Sequence, residues 1–485
     1  MKRLILSILI LGAVSSHAFV ANFNPPASQI FRVDDYGADG TDEDDDLTAF
    51  IAARDAMNAA GGGVIVLTEG GRYYLRTIFN LTASNTGIVG EGSGAVLLPT
   101  DDTIAVSLVY ANEKDNLVFR NIRFDGNVQN RTDAIASIMG LSLRACSYFI
   151  IDNCTFYNMG KWSAHTGNCL GIEILETSNK DSIDGIIRNC KFLDPYQKVR
   201  FGIRVWSNWY LDIETREYLH FIRGLKIENC SFVDGIMWNC IELAGYGVQE
   251  TEVNDCVSVN HNGYASFEAD KGCQNATFNR DRVINQNNPS SYTWAFNTSG
   301  VPEDGTDGYT HPERRAANVT FNYCTADGVV GNAGDGSMGL RSVLSDNVTW
   351  SGGSMKNINS DSSSRAFYEY SSTNITIEDV VVENCYLLFI HVNETDIDGL
   401  TINGITASGL TLGIYMPYAD GLKQNITVTD NSISCDATSY SPIIIDTADG
   451  VTITGNTITR TGGSEEGITL NNVTNQTVSG NTILP

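Results

Sequence analysis

The chain has 485 residues, 18% of them charged and 42% hydrophobic, with 46 glycines. That composition excludes a disordered chain and describes a folded, turn-rich one. Lys plus Arg total 31 against 57 Asp plus Glu, a net charge of −26, so nucleic acid is repelled and the sequence offers no basic patch to offset this.

Lys2 and Arg3 precede an apolar run from Leu4 to Val14, and Ser16-His17-Ala18 place small residues at cleavage positions. Residues 1–18 therefore read as a secretory signal peptide, with a retained N-terminal anchor as the alternative. No other stretch is apolar for long enough to span a bilayer, so the expected mature protein is exported, in the extracellular or periplasmic space, with no membrane attachment after signal removal.

Residues 30–75 begin extended, pass through a Gly- and Asp-rich turn, and enter a helix expected from about residue 47 to 60. Leu47, Phe50, Ile51 and Met57 are expected to share its buried face, Asp44 to Asp46 to cap it, and Gly61 to Gly63 to stop it. The acidic cluster Asp42, Glu43, Asp44, Asp45 and Asp46 reads as a solvated turn and helix cap, with calcium binding as the alternative. Val33, Tyr36-Gly37-Ala38, Gly40, the helix, Gly61-Gly62-Gly63-Val64 and Gly71-Arg72-Tyr73-Tyr74 together resemble the opening module of the pectate-lyase-like superfamily. That family includes rhamnogalacturonases, phage tailspike depolymerases and sugar epimerases. Two departures concern this module: an acidic run replaces the usual Gly after the first Asp, and Thr68-Glu69 stand where a Pro is usual. The resemblance implies a helix that closes the N-terminal end of a solenoid.

From about residue 80 short β-branched strings alternate with Asn, Asp and Gly corners, as in residues 116–126 and 149–156. The pattern is clearest at the C-terminal end, where Asn431, Asn456 and Asn481 recur every 25 residues inside alternating Ile/Val/Thr runs. A fixed period of this size means one unit per repeat, each covering the apolar face of the next. The expected fold is all-β: a right-handed single-stranded parallel β-helix with a short N-terminal capping helix. Residues 1–18 form the signal, 19–95 the cap module and 96–485 the coils. Longer insertions are expected near 157–170, 206–223, 282–316 and 326–345.

Cys154, Cys190, Cys230, Cys256, Cys324 and Cys385 mostly follow an Asn or Asp at equivalent places in successive units. They read as stacked core residues beside an asparagine ladder, with bridges or metal ligation as the alternative. The Asn-x-Ser/Thr triplets at Asn318, Asn347, Asn374 and Asn425 read as ladder positions followed by strand residues, with glycosylation as the alternative.

Counting forward from the corners gives a second register. Glu242 lies thirteen residues past Asn229, Glu268 thirteen past Asp255 and Arg204 fifteen past Asn189, with Glu173 one coil earlier. Apolar residues flank each of them, so alternation points the charged side chains outward in one column. Trp294 is expected to follow, then His391, Tyr415, Ile444 and Thr469. Trp162, Trp206, Trp209, Trp238, Trp294 and Tyr210 gather in the same region and suit the apolar faces of sugar rings.

Paired carboxylates are what glycosidic cleavage needs, about 5 Å apart for retention and about 6.5–9.5 Å for inversion. Glu242 with Glu268 fits the first and Glu173 with Glu242 the second, with Arg204 in support. Trp206, Trp209, Trp238, Trp294, His165, Asp270 and Lys271 are the expected substrate-binding residues. The expected function is hydrolysis of a polysaccharide by a secreted glycosidase without cofactor or metal. One alternative is a lyase or epimerase acting on a uronate-containing glycan, where calcium becomes possible. The other is a non-catalytic glycan-binding adhesin or tailspike-like protein. The resemblance to tailspikes allows a homotrimer as well as a monomer. No histidine lies between glycines, so the Gly-His-Gly pattern of polygalacturonases is absent.

Overall fold

The structure is a computed structural model. It describes residues 29–485 apart from 101–106, 131–137, 160–168, 178, 196–199, 208–219, 236–237, 289–290, 301–314, 333–335, 359–363, 392–396, 418–422, 437–439 and 462–465. Every strand pairing between coils is parallel, and successive coils stack into a right-handed β-helix with three faces. In one coil, Asn239–Ala244 lies on sheet I, Glu252–Asn254 on sheet II and Val257–Val259 on sheet III. The next coil repeats the order with Ala265–Asp270, Thr277–Asn279 and Arg282–Asn287, each strand pairing with its predecessor. Sheet III runs through fifteen strands, from Arg72–Leu75 to Thr482–Leu484.

The corners explain the asparagines. Turning from sheet II to sheet III takes one residue in left-handed conformation: Asn153, Asn189, Asn229 and Asp255 have φ between 52° and 56°. Asn, Asp and Gly tolerate this region best. A second left-handed row near the start of sheet II carries Asn318, Asn347, Asn374 and Asn425, with φ of 52–55°, and its side-chain amides link coils. Asn347 donates to Asn318 at 2.9 Å and Asn374 to Asn347 at 3.0 Å. Asn318 and Asn425 donate to Asn275 and Asp398 in the same manner, so all four triplet asparagines use their amides in ladders.

The residue after that corner points inward. In the early coils it is cysteine, and all eleven cysteines are buried with free thiols. In the late coils it is Asn431, Asn456 and Asn481; each of the first two donates to the next at 2.9 Å. The hollow of the solenoid is filled by ring stacks, with Phe124, Phe156, Phe192 and Phe232 at centroid spacings of 4.7–4.9 Å, one per coil.

The helix Leu47–Ala59 closes the N-terminal end, packing Phe50 edge-on against Tyr73 and Phe79. Its buried face is Ala49, Phe50, Ala53 and Met57, whereas Ile51 is exposed: positions 50, 53 and 57 follow the helical repeat, and 51 lies about 100° away. Asp46 makes no side-chain cap bond. Its carboxylate turns inward and accepts the amides of Asp39 and Tyr74 at 2.9 and 3.0 Å, while Asp45 accepts that of Leu47. Residues 282–299 are not an insertion, because Arg282–Asn287 and Thr293–Ser299 are ordinary strands of sheets III and I. The same holds for Thr325–Val330 and Ser337–Val343. Residues 1–28, with the expected signal peptide, lie outside the described residues, and no described helix is long and apolar enough to cross a membrane.

Candidate active site

Sheet I carries the charged column. Its paired positions run Ser142, Glu173, Arg204, Glu242 and Glu268 on five successive coils. Their flanking residues Ile172, Ile174, Ile203, Val205, Ile241, Leu243, Phe267 and Ala269 all belong to the central core. The charged side chains therefore face outward, as the alternation requires.

They are nevertheless not freely solvated: Glu173 and Glu242 are 4% exposed and Glu268 is 8% exposed. A carboxylate at that burial needs partners. Glu173 accepts the hydroxyl of Ser142 at 3.0 Å and has Arg144 at 3.8 Å. Glu242 accepts Nε of Arg204 at 2.8 Å through Oε2. Glu268 is held by two amides, Asn239 on Oε2 and Asn297 on Oε1, the latter at 2.5 Å. Asp270, two residues on, accepts the hydroxyl of Ser299 and has the Lys271 ammonium at 3.8 Å.

One oxygen each from Glu242, Glu268 and Asp270 lies within 4.8 Å of the other two. Crowding three carboxylates in a dry place favours the proton. Burial pushes Glu242 above the usual carboxylate range, against the pull of Arg204 and Lys271. Glu268 is pushed up further, first by burial and then by Asp270 and Glu242, with the Asn297 amide opposing. The site thus sets a glutamate tied to a guanidinium beside a neighbour held by two amides.

Cations cover the aromatic rings beside the column. Arg204 lies 3.9 Å and Lys271 4.2 Å from the ring centroid of Trp206, Arg200 lies 3.5 Å from Trp238, and Arg341 lies 4.7 Å from Trp294. Tyr264 bridges Trp238 and Trp294 at 6.0 and 6.3 Å. Trp206, Trp238, Trp294, Asp270 and Lys271 are thus gathered on one side of the solenoid. His165, Trp162, Trp209 and Tyr210 lie outside the described residues.

Past Glu268 the column departs from expectation. It continues with Asn297, Arg341, Tyr368 and Ile390, then the expected Tyr415, Ile444 and Thr469. Trp294 stands instead beside Ala265, because the step from Asp281 to the column is four residues longer than the step from its equivalent Cys256 and shifts the count. Ile390, not His391, pairs with Tyr368. Sequence reasoning missed Asn239, Asn297 and Arg341. Arg341 had a usable signal, since Gly339-Leu340-Arg341 repeats Gly202-Ile203-Arg204.

Glu242, Glu268 and Asp270 are the one group of three His, Cys, Asp or Glu among the described residues with ligand atoms so close. Their hard oxygen donors suit a calcium- or magnesium-like ion. Two surface hollows, of about 610 Å³ by Arg460 and Ile483 and about 410 Å³ by Asp34 and Tyr73, lie elsewhere and include no member of the column.

Residues 322–484 match the family described as Periplasmic copper-binding protein (NosD). Cys324, Cys385 and Cys435 in that region are buried, and among the described residues no three His, Cys, Asp or Glu side chains there converge. A mannuronan C5-epimerase of Azotobacter vinelandii, AlgE3, is 34% identical over 112 residues, spanning 21% of this chain and only 6% of that protein. Among solved structures, a tailspike protein mutant of E. coli bacteriophage HK620 in complex with pentasaccharide has a TM-score of 0.54 at 12% identity, covering 92% of this chain and 78% of its own. The A-module of the Azotobacter vinelandii mannuronan C-5 epimerase AlgE6 has a TM-score of 0.49 at 15% identity, covering 94% and 99%. Stacked parallel coils, the helical lid at the N-terminal end and the likeness to the tailspike lead to one assignment: this chain has the pectate-lyase-like right-handed parallel β-helix fold.

Proposed function

We propose that this chain is an exported glycoside hydrolase that cleaves a polysaccharide laid along sheet I. The observation that supports this reading is the adjacency of Glu242 and Glu268 on consecutive coils, with opposite partners. Glu268 is the acid: burial and two neighbouring carboxylates keep it protonated, and its proton goes to the leaving glycosidic oxygen. Glu242 is the nucleophile: burial raises its pKa, and Arg204 is the strongest influence favouring its ionised form. The short spacing of the pair suits retention. Glu173, two coils from Glu242, is the base of the inverting variant of the same reading. Trp206, Trp238 and Trp294 are proposed to line the glycan path, together with Asp270 and Lys271.

A second reading is elimination or epimerisation on a uronate-containing glycan, favoured by the segment similar to a mannuronan C5-epimerase. Arg204 and Lys271 would then neutralise the substrate carboxylate, and the three acids would hold a cation of the calcium class. A reducing-end assay over a glycan panel, read with ultraviolet absorbance and with and without calcium, separates the readings. New reducing ends without absorbance and without a calcium requirement support hydrolysis. Both signals together indicate elimination. With neither signal, inverted uronate C5 in the proton NMR spectrum of the recovered glycan indicates epimerisation, and retention on a glycan column with an unaltered glycan indicates a binder.

A further inference from the structure

The outer face of sheet II carries none of the charged column. Thr320, Thr349, Thr376, Thr401, Thr427 and Thr452 pair in turn on six successive coils, and one more threonine extends the row at each end. Val319 and Phe321, Ile375 and Ile377, and Ile426 and Val428 flank three of these threonines and lie in the core, so the hydroxyls face outward. Two residues on, a second row holds Asn322, Ser351, Glu378, Asn403, Thr429 and Thr454. Glu378 is its one charge, in a chain of net charge −26. Neither row contains an aromatic side chain, so this face is not built to stack sugar rings.

The array is regular and stiff. Its pairings run without a register shift, whereas sheet III slips between Ala407 and Leu410. The amides of Asn347 and Asn374 tie neighbouring coils together along one side of it. Among the described residues, none of the six hydroxyls of the first row has a hydrogen-bond partner. They are therefore presented at steps of about 4.8 Å, free to donate and accept. Waters linked tetrahedrally by hydrogen bonds of about 2.75 Å place second neighbours about 4.5 Å apart. One threonine per coil thus meets one water per lattice step to within about 0.3 Å. A single such contact is weak, but a preorganised row of them engages together at little ordering cost. Charged groups would hold their own hydration in place of that lattice, and Glu378 alone does so here.

We propose that the outer face of sheet II from Thr320 to Thr452 is an ice-binding surface, which adsorbs to the ordered water layer of an ice crystal. It is separate from the glycan chemistry proposed for sheet I.

The test is ice recrystallisation in frozen sucrose solution with the full-length chain, together with the gap between melting and freezing points. The wild type should halt crystal coarsening and open that gap. Thr376→Lys combined with Thr401→Lys puts two strongly hydrated ammonium groups into the row and should lower potency about tenfold or more. Thr406→Lys, on sheet III, should leave potency unchanged. If circular dichroism shows the double variant unfolded, Thr401→Lys alone is read in its place. Wild-type chain that lets ice coarsen as serum albumin does, or an equal loss in Thr406→Lys, overturns the proposal. So does a dimer in sedimentation that Thr401→Lys dissociates while ice growth is unaffected, which gives the face to a second copy of the chain. No glycan enters the measurement, so failure of the hydrolase reading leaves this result unchanged.

Discussion

Arg204 donates through Nε to Oε2 of Glu242 at 2.8 Å, and the two side chains are only 13% and 6% exposed. Glu268, on the coil after Glu242, receives amides where Glu242 receives a guanidinium. Two glutamates in equivalent positions are thereby made chemically unequal.

Glu242→Gln and Glu268→Gln should each lower turnover by about 10²–10⁴-fold with the fold intact. They should differ with an aryl glycoside whose leaving group needs no protonation. Glu268→Gln is expected to keep most of its activity there, and Glu242→Gln to lose it on both substrates. Equal activity of both variants with the wild type would remove the pair from the mechanism.

Arg204→Met removes the largest influence that opposes burial at Glu242. The acidic limb of the pH–rate profile should move to higher pH, because in the proposed mechanism Glu242 loses its proton to act. Stability should fall as well, by about 3 kcal/mol when the buried carboxylate is left charged and unpaired. A group with a raised folded pKa stabilises below its unfolded value and loses that contribution as pH rises through the folded value. The stability deficit of Arg204→Met should therefore widen with pH in urea titrations.

Asp281 occupies the inward corner slot between Cys256 and Cys324. Its Oδ1 accepts the amide of Cys256 at 2.7 Å, while Oδ2 is buried and has no hydrogen-bond partner. Burial pushes its pKa well up, so its contribution to stability is present in acid and lost as pH rises through the folded value. Asn431 shows the alternative, accepting the amide of Ile405 and donating to the carbonyl of Ile402. Asp281→Asn should stabilise the chain by about 1–3 kcal/mol near neutrality and by progressively less towards acid. A melting series across pH checks this, and a pH-independent difference would contradict it.

Asn456→Ala takes a fully buried amide out of the late ladder, leaving Asn431 without the oxygen it donates to and removing the side-chain donor to the Val428 carbonyl. The expected loss is about 2–3 kcal/mol. Because repeat stability is propagated between neighbours, protease cleavage should appear first in the last coils. Cleavage beginning in the early coils instead would argue against a local ladder effect.

The fold was legible because its signals are periodic. Asparagine corners, alternating strands and the 25-residue interval each follow from one coil covering the next. Arg204, Glu242 and Glu268 were legible for the same reason, since the corners preceding those strands change little in length, whereas Glu173, after a longer corner, was legible from the isoleucines on either side of it. Prediction failed after Asp281, where four extra residues hid Asn297 and misplaced Trp294. Burial was also invisible in sequence. Alternation says which side of a strand Glu242 faces but not that Arg204 and the neighbouring coils cover it there. Asp46 was misjudged similarly, because a cap and an inward clip have the same local sequence.

The late coils repeat at a constant 25 residues, with every third-sheet corner keyed to the one above it. A cut or duplication of one full period, say 431–455, would bring like residues back over like and re-form each amide contact. Removing any other number would misalign all three walls at once. The chain can therefore change length only in whole turns there, while its corners elsewhere accept loops of almost any size, which leaves reach along a polymer and shaping of the reactive wall free to vary separately.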